Sequence, residues 1–186
     1  MTQLYNFLRK QILPIDKIDK ALPTRGVILD LGCGQGLIAT YIAAKKYRTV
    51  IGIDANNKRL PNSNLENLTF KNGDITKLSV SKIDGVVISD VLHHIPKIKQ
   101  DALFKKIFNN LNKNGRLVIK EIDSGELIRS NLSRLWDFLL YPKDKIAYRR
   151  SSELKVFLKK IGFTVSVSRP CRLFPGSTTL YICSKT

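Results

Sequence analysis

Histidine is nearly missing from this 186-residue chain: there are two, His93 and His94, and they are adjacent. Cysteine is scarce as well. Cys33, Cys171 and Cys183 are odd in number and show no C-x-x-C spacing, which excludes the disulfide framework of a small secreted domain and a structural zinc site. Nowhere is an apolar run long enough to cross a bilayer. At the N-terminus, MTQLYNFLRKQILP places Leu4, Phe7, Leu8 and Ile12 at helical spacing, with Arg9 and Lys10 interrupting them, so no signal-peptide core fits there. Internal repeats, low-complexity tracts and long linkers are lacking. These absences lead to the expectation of one domain, residues 1–186, in a reducing cytoplasmic setting.

Acidic residues are also few: 15 against 32 basic ones, giving a net charge of +17 and a pI near 10.0. The hydrophobic fraction of 43% nonetheless belongs to a globular chain and not to a disordered one. Much of the positive charge lies in residues 101–186, at positions such as Lys105, Lys106, Arg149, Arg150, Lys159 and Lys160. A field of this sign draws in acidic substrates, an anionic membrane surface or nucleic acid. It equally describes a solvated, lysine-rich surface.

What the chain does contain is an alternation of short β-branched runs with helical stretches. The runs are Gly26–Leu31, Thr49–Asp54, Leu68–Lys71, Asp84–Ser89 and Arg116–Ile122, each nearly continuously apolar, as strands covered on both faces are. Between them, Leu37–Lys46 and Lys99–Leu111 read as helices, the second stopped by Asn114-Gly115. Beyond the fifth run come an apolar-rich helix over Ile128–Tyr141, a basic connection, a helix over Ser152–Ile161, and two strands, Phe163–Ser168 and Thr178–Cys183. The fold class expected is α/β, a doubly wound seven-stranded sheet with an extra helix after strand five. Along the chain this divides into an N-terminal helical segment (1–25), a core (26–123), an inserted cap helix with its basic loop (124–150), and a final helix and strand pair (151–186).

The first strand runs into LDLGCGQGL, where Gly32, Gly34 and Gly36 follow Asp30. Glycine suits a backbone that bends to positive φ or approaches a ligand closely. The dinucleotide fingerprint would place a small residue at position 37, and Leu37 stands there. Strand two ends in Asp54, strand three is followed by Asn72-Gly73-Asp74, and strand four ends in Ser89-Asp90. Ligands of open α/β sheets bind outside the carboxyl ends of the strands, so all these groups converge on one rim. Carboxylates crowding that rim disfavour a pyrophosphate.

The set VILDLGCGQG, IGIDANN, KNGDIT, ISDVLHHIP and NGRLVIKEID resembles the successive motifs of class I S-adenosylmethionine-dependent methyltransferases, over roughly residues 26–123. The resemblance implies a Rossmann-like sheet whose last strand is antiparallel, with S-adenosyl-L-methionine as cofactor. It implies that Asp30, Gly32, Cys33, Gly34 and Gly36 line the methionine side, that Asp54 with Ala55 meets the ribose, and that Asp74 with Ile75 flanks the adenine. Ser89 would lie near the sulfonium, and Asp90 beside the cofactor. No metal site is implied.

Methyl transfer is an in-line displacement to which positioning contributes most. A base is needed only where the acceptor arrives protonated. His93 and His94 follow strand four, where the acceptor side begins, and neighbouring side chains on a turn diverge, so at most one is expected to face an acceptor. Either ring can instead cap backbone or pack beneath the loop. Glu121 and Asp123 share a strand face and are further pocket candidates, although Asp123 also suits a helix N-cap. Trp136 and Tyr141 either roof an apolar pocket or form ordinary core. The [DN]-P-P-[FYW] signature of several enzymes that methylate nucleic-acid amines is absent after strand four. A small, partly apolar or acidic acceptor (lipid-derived, acyl or aromatic) is therefore expected, with an RNA methyltransferase and a non-catalytic binding partner as the alternatives.

Overall fold

A computed structural model describes residues 13–45, 47–79, 81–122, 149–169 and 178–186. Its elements are α1 (Ile15–Ala21), β1 (Gly26–Leu31), α2 (Leu37–Ala43), β2 (Arg48–Asp54), β3 (Leu68–Asn72), β4 (Ile83–Ser89), α3 (Lys97–Asn110), β5 (Leu111–Ile122), α4 (Ser151–Ile161), β6 (Thr164–Ser168) and β7 (Thr178–Ser184). The seven strands form one sheet in the order β3-β2-β1-β4-β5-β7-β6. Strands β1 to β5 pair in parallel, and β7 runs antiparallel between β5 and β6. The expected fold class is what the chain adopts. The expected helix over residues 128–141 lies outside the described residues.

The apolar runs of the central strands are continuous because both sheet faces are covered. Val86, Ile88, Leu117, Ile119 and Tyr181 pack with Leu103, Phe104 and Ile107 of α3 and Leu154 and Leu158 of α4. On the opposite face, Ile28, Val50, Val87, Val118 and Leu180 pack with Ile18 of α1 and Ile38, Ala39 and Ile42 of α2. Each such valine, leucine, isoleucine or phenylalanine side chain contributes about 1.5–3 kcal/mol on leaving water.

Two boundaries differ by more than two residues from those expected. Helix α2 ends at Ala43, short of Lys46. Asn114-Gly115 is not the break between helix and strand: α3 stops at Asn110 and β5 begins at Leu111. There Leu111 pairs with Ile83 before the register shifts, so that Gly85 pairs with Arg116. Asn114, at φ 65°, sits inside that bulge, a place where a residue tolerant of left-handed backbone is needed. The stop signal is real, but it bends a strand.

Opposite the carboxyl rim, Arg48 opens β2 with its side chain fully buried. Its guanidinium bonds the Asp19 carboxylate and donates to the carbonyls of Pro23 (2.7 Å) and Asp19 (3.1 Å). Lys45 Nζ reaches the other carboxylate oxygen of Asp19 at 2.7 Å, so α1 is tied to the sheet by charge as well as by Ile18. Burial pushes the Asp19 carboxyl upward, but the bonds from Lys45 and Arg48 outweigh it and hold the group below its ordinary value of 3.8. Folding thus favours the ionised form, so its stabilisation is present above that value and is lost as pH falls further. Arg48→Ala, which strands a buried carboxylate, is expected to lower the unfolding free energy by about 3 kcal/mol in urea titrations at neutral pH. The difference from wild type should shrink as the buffer is taken below about pH 4.

Candidate active site

The glycine turn is built by β1, β2 and α2 together. The N–H groups of Gly32 and Cys33 donate to Ile53 O at 2.7 and 3.1 Å, and Gly36 N–H donates to Cys33 O at 2.9 Å. Gly32 has φ 76°, and a Cβ there would lie 2.3 Å from Val91, so the turn lies against the loop after β4. Gly34 differs. It too has positive φ, 53°, but a Cβ on it would meet nothing within 4 Å. Gly32 makes room for protein, whereas Gly34 leaves room for something else.

Two carboxylates hold this turn. Asp30 is 2% exposed, and its Oδ2 accepts from Ala39 N at 3.1 Å. Gly36, the N-cap of α2, provides no side-chain cap, so Asp30 supplies from β1 the acceptor that the helix start lacks. Asp54 bridges two loops: Oδ2 accepts from Gly34 N and Oδ1 from Asn56 N, both at 2.8 Å. Each carboxylate oxygen has a second lone pair, which leaves acceptor capacity beside exposed Ala55. Asn72, to which the sequence reading gave no role, donates through Nδ2 to Asp54 O and Ala55 O, each at 3.0 Å. Asp74 is exposed and accepts from Thr76 N (2.9 Å) and Thr76 Oγ1 (2.7 Å). Those bonds hold its carboxyl below the ordinary carboxylate value. Ile75 next to it is buried.

Cys33 is core. It is buried, and burial, followed by the charges of Asp30 and Asp54, drives its thiol far above the ordinary value. That is the opposite of what a nucleophile needs.

Across β4 lies a second set of groups. Ser89 is 4% exposed, and its Oγ has no hydrogen-bond partner among the described residues. Asp90 has φ 55°; its N–H donates to Lys120 O at 3.0 Å, and its two carboxylate oxygens accept from Lys120 Nζ at 2.5 and 2.6 Å. The sequence reading placed Asp90 at the rim without its partner. Lys120, which interrupts the apolar run RLVIKEI, marks a buried charge but not the group it meets.

His93 and His94 diverge as expected of neighbours on a turn. His93 is 2% exposed, and its Nδ1 donates to Glu121 Oε1 at 2.7 Å. Glu121 Oε2 accepts from Leu92 N at 3.0 Å, and Gln100 Nε2 donates to Leu92 O (2.7 Å) and Ile95 O (2.8 Å). His93 and Glu121 therefore latch the loop between β4 and α3 to β5. The His94 ring, half-buried, lies 4.2 Å from that of His93, centroid to centroid. His93 and Glu121 line a small pocket with Arg149, Leu154 and Tyr181. Asp123, Trp136 and Tyr141 lie outside the described residues, among which no cluster of metal-ligating side chains occurs.

A family model of the methyltransferase domain matches residues 4–166. The chain belongs to that family. Ubiquinone biosynthesis O-methyltransferase of Paracidovorax citrulli is 28% identical over 162 residues, 75% of this chain and 68% of that one. Carboxy-S-adenosyl-L-methionine synthase of Campylobacter curvus is 25% identical over 109 residues, 55% of this chain; the match spans only 47% of the synthase. Magnesium protoporphyrin IX methyltransferase from Synechocystis, crystallised with S-adenosylhomocysteine, superposes with a TM-score of 0.70 at 20% identity, over 92% of this chain and 82% of that one. S-adenosylmethionine is the methyl donor of the methyltransferase family. Two features of this methyltransferase domain suit that donor: the open space at Gly34 and the remaining lone pairs of Asp54 lie at the carboxyl ends of β1 and β2.

Gly34→Ala is expected to lower S-adenosylhomocysteine affinity by about tenfold, since it adds left-handed strain and a methyl in the open space. Its thermal midpoint should fall less than that of Gly32→Ala, which drives a methyl into Val91. Calorimetric titration and thermal unfolding of both variants check this.

Proposed function

We propose that this methyltransferase domain moves a methyl group from S-adenosylmethionine to a small acceptor, partly apolar or acidic, of lipid-derived, acyl or aromatic kind. The observation that carries this reading is the division of the rim. Donors and acceptors suited to an adenosyl group sit on β1, β2 and β3, and a separate buried polar set sits on β4 and β5.

Gly32 to Gly36 receive the methionine portion, Asp54 takes the ribose hydroxyls through its free lone pairs, and Asp74 with Ile75 faces the adenine. Asp30 acts through the turn and α2 and does not touch the cofactor. When bound, the cofactor supplies an electrophilic methyl on a cationic sulfur. The protein has to hold the acceptor in line with it, and orientation of this kind is where the larger part of the acceleration arises. The latch of His93, Glu121 and Gln100 serves that purpose by fixing the loop that begins at Val91. His93 is therefore a positioning residue.

The net charge of +17 also favours a second reading, transfer to RNA. Release of S-adenosylhomocysteine from S-adenosylmethionine in the presence of small acids, phenols and RNA separates the two, because RNA turnover would fall steeply with added salt. Asp54→Ala is expected to reduce S-adenosylmethionine affinity on the order of 10- to 100-fold by calorimetry, with two charge-assisted bonds lost. Glu121→Gln should cut kcat with little change in cofactor affinity, a split measured by comparing turnover with that titration. An unchanged kcat would end the positioning role of the latch.

A further inference from the structure

Buried cations are rare unless paired, and Lys120 is 6% exposed at the carboxyl end of β5. Its strand neighbour in register is Ser89 of β4, so the two side chains leave the sheet on the same face, with Val87 and Val118. Asp90 is the one partner of the Lys120 ammonium among the described residues, and an ammonium has three hydrogens to give. Asp90 itself is held in the left-handed region, at φ 55°, by its main-chain bond to Lys120. The backbone thus accepts an unfavourable conformation that keeps a carboxylate on the ammonium. Beside the pair, the Ser89 hydroxyl, itself 4% exposed, has no partner among the described residues.

We propose that Lys120, with Ser89, is the site that recognises an oxyanion on the acceptor, a carboxylate or an ionised hydroxyl. This rests on the acceptor reading above and names the chemistry of what is bound. The topology assigns the ammonium to the acceptor and not to the cofactor: the glycine turn, Asp54 and Asp74 follow β1, β2 and β3, whereas Lys120 lies beyond β4 on β5. Charge supports the same division. A lone buried cation would repel a sulfonium, but Lys120 and Asp90 together are neutral, so an anionic acceptor and a cationic donor bring the site to zero net charge. Such an acceptor needs no base. Its oxygen lone pair forms the bond to the methyl carbon, the electron pair of the broken carbon–sulfur bond stays on sulfur, and no proton moves. This agrees with the engagement of His93 by Glu121.

Crystals of the protein saturated with S-adenosylhomocysteine, soaked in sodium bromide, test the assignment by anomalous scattering. A bromide within about 3.5 Å of Lys120 Nζ is expected, retained in Lys120→Arg and lost in Lys120→Met. Should Lys120→Met fail to fold, the wild-type and Lys120→Arg maps decide alone. Bromide at surface lysines but not at Lys120 overturns the proposal and leaves the methyltransferase reading intact. Bromide at Lys120 only in cofactor-free crystals overturns it too, since the ammonium would then belong to the cofactor's own carboxylate. Failure to bind S-adenosylhomocysteine at all would instead overturn the function proposed above.

Discussion

The carboxylate of Asp54 joins two loops that would otherwise be independent. One oxygen takes the amide of Gly34 from the turn after β1, and the other takes the amide of Asn56 after β2. Parallel pairing makes this possible: Leu31 lies opposite Ile53, so both strands end at the same height. A single carboxylate can then bond main-chain amides of both chain segments. Asn72 adds β3 to the assembly by donating to the carbonyls of Asp54 and Ala55. Gly34, whose amide is held by Asp54, faces open space, and Asp30, bonded to Ala39 from within the core, anchors the first turn of α2. Bonds to an ionised acceptor are roughly twice as strong as neutral ones, which is why acids recur at this rim.

The other half of the rim obeys a different logic. On β4 and β5 the polar groups other than the Ser89 hydroxyl are paired before any ligand arrives. Lys120 holds Asp90, and Glu121 holds His93 and the amide of Leu92. Because side chains alternate along a strand, these two neighbouring residues of β5 work on opposite faces of the sheet. Lys120 turns to the side covered by α1 and α2, and Glu121 to the side covered by α3 and α4. One strand end thus fixes the loop after β4 from both sides at once. The opposite edge of the sheet has its own buried charges, Arg48 and Asp19, whose work is attachment of α1.

Much of this was legible in the residues. The runs of the five parallel strands, the glycine turn and the acids at their ends follow from periodicity and from the rule that ligands gather at carboxyl ends. Less legible were the pairings. Nothing local says that Lys120 meets Asp90, thirty residues earlier, or that His93 is consumed by Glu121. The bulge at Asn114 misled for the same reason. An Asn-Gly pair reports a backbone conformation and not whether the chain turns away or continues as a strand.

From the sequence alone came the order of the described elements, the acid-lined rim and the place where both imidazoles lie, because these depend on spacing and side-chain chemistry along one chain. Tertiary structure decided which polar groups are engaged with one another. It made Asp30 a helix cap, His93 a latch and Lys120 a buried half of an ion pair. Such roles are set by contacts between strands distant in sequence, and the cost of burying a charge unpaired is settled only once the sheet brings a partner within reach.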